Sequence, residues 1–428
     1  MKTTITHKAP GAVLVVFFLL SIFPWPTNAY PAEIADYTSY KGTVTDRKSG
    51  NALPFASIVV ADTHISTVTN SEGVFSVKIP TGIPDPALVV SFIGYKNKTT
   101  RLAGLDKNKI RVELESSAVE LPELSVISKD AEALMRAVFD KKGVNYPSSP
   151  SDMTAFYRET IKKNKTYVSL SEAVVEIDKQ PYASRRSDAA KLYKARKQAD
   201  YSKLDTVTFK LQGGPFNTLY LDIMKYPDMV FTDDMFLKYE FRFDRTTYMG
   251  NRLMFVVDFK QRPGIVEPLY FGKIYIDAAS LALKSAVFQL NLANREEAAR
   301  MFVVKKPFNA DVYPVEASYR IDYNEKNGKW YYGYSRIEFG IKINWKKKLF
   351  KTGYYSVVEM AVTDWEITTG GTTISPAERL HPSVIVSDAA KGFSDPQFWG
   401  EYNVIEPEKT IESAIKKIQK QLDNGKGE

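Results

Sequence analysis

The chain has 428 residues, of which 44% are hydrophobic and 25% charged, a composition typical of a folded protein with roughly two or three domains. It contains no cysteine, which excludes disulfides, cysteine nucleophiles and thiolate metal sites. The formal net charge of +8 is spread along the chain, so it favours contact with anionic surfaces or lipids and argues against nucleic-acid binding.

The N-terminus has the three parts of a secretory signal peptide. Lys2 and Lys8 provide positive charge, residues 11–23 are apolar, and Ala29 ends a small-residue segment suited to cleavage. The apolar run is shorter than the ~20 residues that a bilayer-spanning helix needs. We therefore predict that residues 1–29 are a cleaved signal, with an uncleaved anchor as the alternative. Export would place the protein in the periplasm or at the outer membrane of a bacterium.

Residues 30–127 predict a small β-sandwich, because short β-type runs alternate with polar turns such as 46–51 and 70–73. Four segments are distinctive: Gly-Thr-Val-Thr-Asp at 42–46, Leu-Pro-Phe-Ala-Ser-Ile at 53–58, Thr-Asn-Ser-Glu-Gly-Val-Phe at 69–75 and Val-Ser-Phe-Ile-Gly-Tyr at 90–95. In order and spacing they resemble the carboxypeptidase-regulatory-like domain of Bacteroidetes cell-envelope proteins. This resemblance implies a seven-stranded, transthyretin-like sandwich. It does not imply peptidase activity, because the domain is an accessory to the enzymes after which it is named.

Residues 128–150 predict a helix followed by a linker. Leu134, Met135 and Val138 recur at helical spacing, and Gly143 is expected to end the helix. The stripe favours packing on the following sheet, and a partner-binding helix is the alternative.

Residues 151–375 predict a large antiparallel sheet. Asn327-Gly328 and Gly250-Asn251 each separate two β-type runs, as in tight hairpins, and 296–301 predicts a short helical interruption. Gly-Lys-Ile-Tyr-Ile-Asp at 272–277, a turn, and the run from Leu283 to Phe288 resemble the outer-membrane lipoprotein carrier fold. That resemblance implies a curved, half-barrel sheet that wraps helices or lipid. We predict that residues 376–428 form a tail ending in a helix.

The sequence offers little material for catalysis. Of the three histidines, His7 lies in the predicted signal, and we interpret His64 and His381 as surface residues of a turn and a linker. Neither belongs to a zinc-hydrolase pattern, and a Gly-x-Ser-x-Gly motif does not occur. The sequence therefore predicts no catalytic residue, no metal site and no cofactor.

Adjacent carboxylates support an alternative, a cell-envelope hydrolase acting on glycans or peptides. Asp233-Asp234 and Glu296-Glu297 could supply an acid and a base. Neighbouring residues face opposite sides of a strand and lie about 100° apart on a helix, so neither pair converges by itself.

Two basic stretches are candidate binding segments. Residues 188–203 predict a charged insert. Residues 344–351 combine lysines that could contact lipid phosphate with aromatic rings suited to a membrane interface. The alternative for 344–351 is a hairpin end whose lysines keep a sheet edge soluble. The candidate ligand-binding residues are Trp345, Lys346, Lys347, Lys348 and Phe350.

Together these features predict a mainly β protein of the α+β type, with a sandwich, a curved antiparallel sheet and a C-terminal helix. The predicted function is that of a non-catalytic binding or scaffold protein of the cell envelope. Its sandwich would be an interaction module, and its curved sheet would offer a surface for a lipid, a protein partner or an anionic membrane.

Overall fold

The computed structural model describes residues 36–117, 130–199, 213–231, 233–303, 308–346, 351–368, 374–392 and 398–413. The predicted signal at 1–29 lies outside the described residues. Among the described helices, none combines the length and the apolar character needed to cross a bilayer.

The N-terminal region is a seven-stranded sandwich, as predicted. Its two sheets have the strand orders β4-β1-β7 and β3-β2-β5-β6. Between them lies an apolar core that includes Val44, Ile58, Phe75 and Val112. The strands are β1 Tyr37–Asp46, β2 Ser57–Val60, β3 Ser66–Val68, β4 Val74–Pro80, β5 Ala87–Ser91, β6 Lys98–Arg101 and β7 Ile110–Leu114.

Two helices follow the sandwich. Helix α1 spans Ala131–Asp140, and the side chain of Asp130 caps it by accepting a hydrogen bond from the backbone of Ala133. Gly143 does not end the helical region, contrary to the prediction, because a short helix α2 spans Lys142–Asn145. The apolar stripe of α1 packs on the sheet that follows, as predicted.

The large sheet has eleven strands in the order β11-β12-β13-β14-β15-β16-β17-β8-β9-β10-β18. Ten of them form an antiparallel array, and β18 pairs with β10 in parallel. The hairpins at Asn327-Gly328 and Gly250-Asn251 are confirmed. The strands are β8 Ser151–Lys163, β9 Thr166–Lys179, β10 Ala189–Ala199, β11 Tyr239–Met249, β12 Arg252–Gln261, β13 Tyr270–Asp277, β14 Leu283–Leu290, β15 Ala310–Lys326, β16 Lys329–Trp345, β17 Thr352–Ile367 and β18 Lys391–Gly392.

Among the described residues, four further α-helices and a 3-10 helix at Pro227–Met229 connect these strands. The segment predicted as a charged insert is one of the strands. Much of 188–203 forms β10, whose cations face acids across the strand pair: Lys191 lies 2.8 Å from Glu176, and Arg196 lies 2.9 Å from Glu172. The helices are α3 Pro215–Leu219, α4 Asp233–Phe236, α5 Arg295–Phe302 and α6 Val386–Ala389. Helix α5 confirms the predicted interruption.

The inner face of the large sheet surrounds one apolar core. All ten antiparallel strands contribute to it, for example Tyr157 from β8, Val257 from β12 and Ile321 from β15. Helix α1, helix α3, residues 219–231 and Phe236 fill the interior. Because strands from both halves of the sheet contact the same core, the sheet curves around it, and its inner face is covered by the chain's own residues.

The outer face of the sheet carries the sandwich. The hydroxyl of Ser66 donates to the carbonyl of Val362 at 2.8 Å, and the ring of Phe55 stacks on Tyr334. His64 lies in a turn of the sandwich, as predicted, and is partly buried, because its ring lies 4.9 Å from that of Trp365. Burial lowers the pKa of His64. These contacts hold the sandwich in a fixed position.

The C-terminal tail ties the sandwich to the sheet. Lys78 of the sandwich donates its backbone N–H to the Asn403 side chain at 2.6 Å. Buried Arg158 on the outer face of β8 donates to the carbonyl of Ile405 at 2.6 Å. The same guanidinium pairs with Glu172 at 2.7 Å and with Glu359 at 3.4 Å. The tail is thus a strap that contacts both the sandwich and the large sheet. Its helical residues begin at 409.

Candidate functional site

The turns of the large sheet gather at its two ends. We call one the docked end, because it carries the turns 249–252, 277–283 and 326–329 near the sandwich. There Gly94 donates to the carbonyl of Tyr248 at 2.7 Å. We call the other the open end. It carries the turns 163–166, 261–270 and 345–352 and helix α5, and the described polar contacts of the sandwich do not reach it.

Two neighbouring turns of the open end are rich in lysine. Strands β8 and β17 lie side by side, which places the β8–β9 turn beside the β16–β17 turn. Asn164 fixes this arrangement: its N–H donates to the Gly353 carbonyl at 2.7 Å, and its side chain accepts from the Gly353 N–H at 2.9 Å. Asn164 has a φ of 55°, a left-handed conformation that asparagine tolerates. We call these the lysine turns, after Lys162, Lys163, Lys165, Lys346 and Lys351.

Most charges of the lysine turns are not neutralised within the part of the chain that the structure describes. There, Lys162, Lys165, Lys346 and Lys351 form no ion pair. Lys165, Lys346 and Lys351 are exposed. Elsewhere at the same end, Lys260 pairs with Glu240 at 3.2 Å. The lysine turns therefore concentrate positive charge that is available to an external anion.

Aromatic rings accompany these cations. The ammonium of Lys162 lies 4.4 Å from the ring centre of Tyr167, and that of Lys346 lies 5.5 Å from the ring of Phe308. Arg295 of α5 and Lys351 both lie over Tyr313, at 5.2 and 6.0 Å. Such pairs leave the charged groups near solvent while their aliphatic stems cover apolar surface, as at membrane interfaces.

A groove lies beside the lysine turns, between α5 and β15. It has a volume of about 600 Å³, with Ala299 and Val312 among its apolar residues and Arg295 and Arg300 among its cations. Glu296 also lines it, whereas Glu297 pairs with Arg300 at 2.6 Å. This carboxylate pair therefore does not converge on one point.

The candidate residues predicted from the sequence have different outcomes. Lys346 is exposed on a lysine turn. Trp345 ends β16 and is partly buried against a small apolar core that includes Ile343. Lys347, Lys348 and Phe350 lie outside the described residues. The turn is a hairpin end, but it does not lie at a sheet edge, because β16 and β17 are central strands.

Sequence reasoning missed the lysines of the β8–β9 turn. Lys-Lys-Asn-Lys at 162–165 was a visible basic run. Its relevance depends on the pairing of β8 with β17, about 190 residues later, and no local pattern predicts that pairing.

A group of carboxylates meets at the docked end. Asp152, Glu176, Asp364 and Glu366 line a groove of about 420 Å³ together with His64. Burial raises the pKa of Asp364. Within the described residues, no group of histidines and carboxylates has the arrangement needed to hold a metal ion. Asp234 is exposed, and the Asp233 side chain lies outside the described residues.

Comparison with known families assigns one region of the chain. Residues 40–126 match the family model described as a CarboxypepD_reg-like domain, which confirms the predicted identity of the sandwich region. Comparison with curated proteins gives no match.

Solved structures give weak similarities only. A DUF1329 family protein from Desulfovibrio piger has 10% identity and a TM-score of 0.24 over 57% of this chain and 95% of its own. A structure of lipovitellin has 9% identity and a TM-score of 0.25, and the match covers 54% of this chain and 27% of the lipovitellin chain. A LolA superfamily protein from Nitrosomonas europaea has 11% identity and a TM-score of 0.18, and the match covers 55% of this chain and 94% of that protein's chain. Nothing about the function of this chain follows from scores this low.

Proposed function

We propose that this chain is a non-catalytic binding protein of the cell envelope, of the kind found in Bacteroidetes, and that it binds an anionic membrane surface through the lysine turns. The observation that carries this proposal is the set of four lysines on two hydrogen-bonded, adjacent turns that form no ion pair with any described residue. The sandwich and the tail strap support the sheet from the docked end, which leaves the open end accessible. Export by the predicted signal would bring the protein to such a surface.

Surface binding agrees better with the geometry than storage of a ligand inside the sheet. The interior is filled by α1, α3, residues 219–231 and Phe236. A lipid held there would have to displace buried side chains such as Leu219 and Phe231, whereas a lipid surface at the lysine turns requires no rearrangement. The sandwich is then an internal scaffold, because one of its faces already contacts the sheet and the tail.

Neutralising the lysine turns tests the proposal. The variant Lys162→Gln, Lys165→Gln, Lys346→Gln, Lys351→Gln is expected to bind anionic vesicles on the order of 1,000-fold more weakly, because each of the four lysines near an anionic surface contributes about 1 kcal/mol. Cosedimentation with phosphatidylglycerol-containing vesicles measures this affinity, and the affinity of the unmodified protein should fall as salt is raised.

The matched control places the same charge change on the sandwich: Lys48→Gln, Lys98→Gln, Lys107→Gln, Lys109→Gln. These four side chains are also exposed. Equal losses of binding in the two variants would show that only net charge matters, and the proposed site would be wrong.

A cell-envelope hydrolase is the alternative, and the carboxylate groove at the docked end is the observation that favours it. In that function, Asp364 would be the acid, because burial raises its pKa, and Asp152 or Glu176 would be the base. The test is whether the protein hydrolyses a glycan or peptide. If it does, and if Asp364→Asn abolishes that hydrolysis without lowering stability, the hydrolase function replaces the binding proposal.

A further inference from the structure

Three large apolar side chains protrude from separate turns of the open end. Leu237 is 71% exposed, Val266 is 69% exposed and Phe308 is 97% exposed. Leu237 follows α4 and precedes β11, Val266 lies in the β12–β13 turn, and Phe308 lies just before β15. Because the strands alternate in direction, all three positions lie at the same end of the sheet as the lysine turns.

The turns that present Leu237 and Val266 are held in place by hydrogen bonds. Phe236 is buried in an aromatic cluster, so the next residue, Leu237, is directed outwards. Arg262 donates its N–H to the Lys238 carbonyl at 2.8 Å, which joins the two turns. The Gln261 side chain donates to the carbonyls on both sides of Val266, those of Ile265 at 2.6 Å and Glu267 at 3.0 Å.

Phe308 is anchored to a lysine turn. The next residue, Asn309, accepts a hydrogen bond from the N–H of Lys346 at 3.0 Å. The ammonium of the same lysine lies 5.5 Å from the Phe308 ring. An almost fully exposed ring is thus placed next to cations, and this combination suits the boundary between lipid headgroups and acyl chains.

We propose that these three side chains insert into the bilayer to which the lysine turns bind. The inference rests on the proposed function and specifies its partner: a lipid bilayer, as opposed to a soluble polyanion. The lysines would contact lipid phosphates, and the apolar side chains would lie below the headgroups of the same membrane. Two weak membrane signals of this kind, one electrostatic and one apolar, together give stable attachment. Single exposed apolar residues are common on proteins, but three on turns at one end of a sheet, beside lysines that have no ion pair among the described residues, form a membrane-facing rim.

The test compares two ligands, phosphatidylglycerol-containing vesicles and dextran sulfate. The variant Leu237→Ser, Val266→Ser, Phe308→Ser is expected to bind vesicles at least about tenfold more weakly and dextran sulfate with unchanged affinity, because only a bilayer removes apolar groups from water. The control is Val144→Ser, which changes a side chain of similar exposure, 67%, near the docked end; its binding to vesicles should not change.

A gain-of-binding variant keeps the test decisive if the triple variant folds poorly. Val266→Phe adds apolar surface to an exposed turn and should strengthen vesicle binding several-fold without affecting dextran sulfate. Insertion is wrong if the triple variant and Val266→Phe both bind vesicles like the unmodified protein while the lysine variant binds weakly; surface binding would then stand. If the lysine variant also binds normally, both proposals fail.

Discussion

Replacing Lys179 with methionine is expected to lower the free energy of unfolding by about 3–5 kcal/mol, because it leaves two buried carboxylates without a counter-ion. The Lys179 ammonium lies 2.6 Å from Asp188 and 2.7 Å from Asp222, and all three side chains are at most 1% exposed. Burial alone would lower the pKa of Lys179, but the charges of the two aspartates outweigh burial and raise it. The lysine is therefore charged throughout the physiological range.

This ion pair holds the interior in place. Asp222 lies in the segment that follows α3, whereas Lys179 is the last residue of β9. Their ion pair therefore joins the residues packed inside the sheet to the sheet itself. Tyr323 also donates to Asp222, at 2.7 Å. Loss of the lysine would loosen that segment as well as destabilise the fold.

Urea unfolding followed by tryptophan fluorescence measures the effect. The matched control is Lys191→Met, whose partner Glu176 lies on the solvated outer face; a partly exposed pair contributes about 0–1 kcal/mol. Combining Lys179→Met with Asp188→Asn and Asp222→Asn should recover part of the loss. Equal small losses for Lys179→Met and Lys191→Met would contradict the buried-pair account.

Replacing Glu159 with glutamine is expected to stabilise the protein at pH 8, on the order of 3 kcal/mol. Glu159 is 3% exposed and accepts a hydrogen bond from the Tyr157 hydroxyl at 2.8 Å. Burial, with a smaller contribution from the charge of Asp388, raises the pKa of Glu159 from 4.5 to about 7. Across the sheet, Glu159 is paired with Ser171 of β9, and Ser171 is paired with Lys197 of β10. The Lys197 ammonium donates to the carbonyl of Ser387.

The sign of the pH effect follows from this raised pKa. Between pH 4.5 and 7 the folded protein keeps a proton that the unfolded chain has lost, so the contribution of Glu159 to stability falls as the pH rises and is constant above about 7. The glutamine variant lacks this dependence. The difference in the free energy of unfolding between the glutamine variant and the unmodified protein should therefore be near zero at pH 4.5 and grow until about pH 7.

Thermal unfolding of both proteins across this range measures the difference. Glu113→Gln, at an exposed position of β7, is the control and should give no divergence. A stability difference between Glu159→Gln and the unmodified protein that does not change with pH would contradict a buried, protonated Glu159.

The local pattern of the sequence was enough to predict the sandwich, helix α1 and the Asn-Gly hairpin. In each case the signal lies within about 15 residues: the helical spacing of Leu134 and Val138, or two turn residues between two β-type runs. The charged run at 191–197 was misinterpreted because its partners, Glu172 and Glu176, come from the preceding strand and neutralise it only after pairing.

The site was harder to predict than the fold, because it is assembled from distant parts of the chain. The lysine turns come together only when β8 pairs with β17. Phe308 and Val266 are typical of a buried core by residue type, and only their position on turns shows that they are exposed. Trp345 was predicted at an interface from its residue type, and the structure has it partly buried against a small apolar core.

The orientation of the protein on a membrane tests the central claim most directly. Because the chain has no cysteine, Thr166→Cys beside the lysine turns and Ala279→Cys at the docked end each provide one attachment point for an environment-sensitive dye, and both positions are exposed. On phosphatidylglycerol-containing vesicles, the emission of the dye at position 166 should shift to the blue, whereas that of the dye at 279 should stay as it is in buffer. A blue shift at 279 with none at 166 would show that the docked end faces the membrane, which contradicts the proposed function.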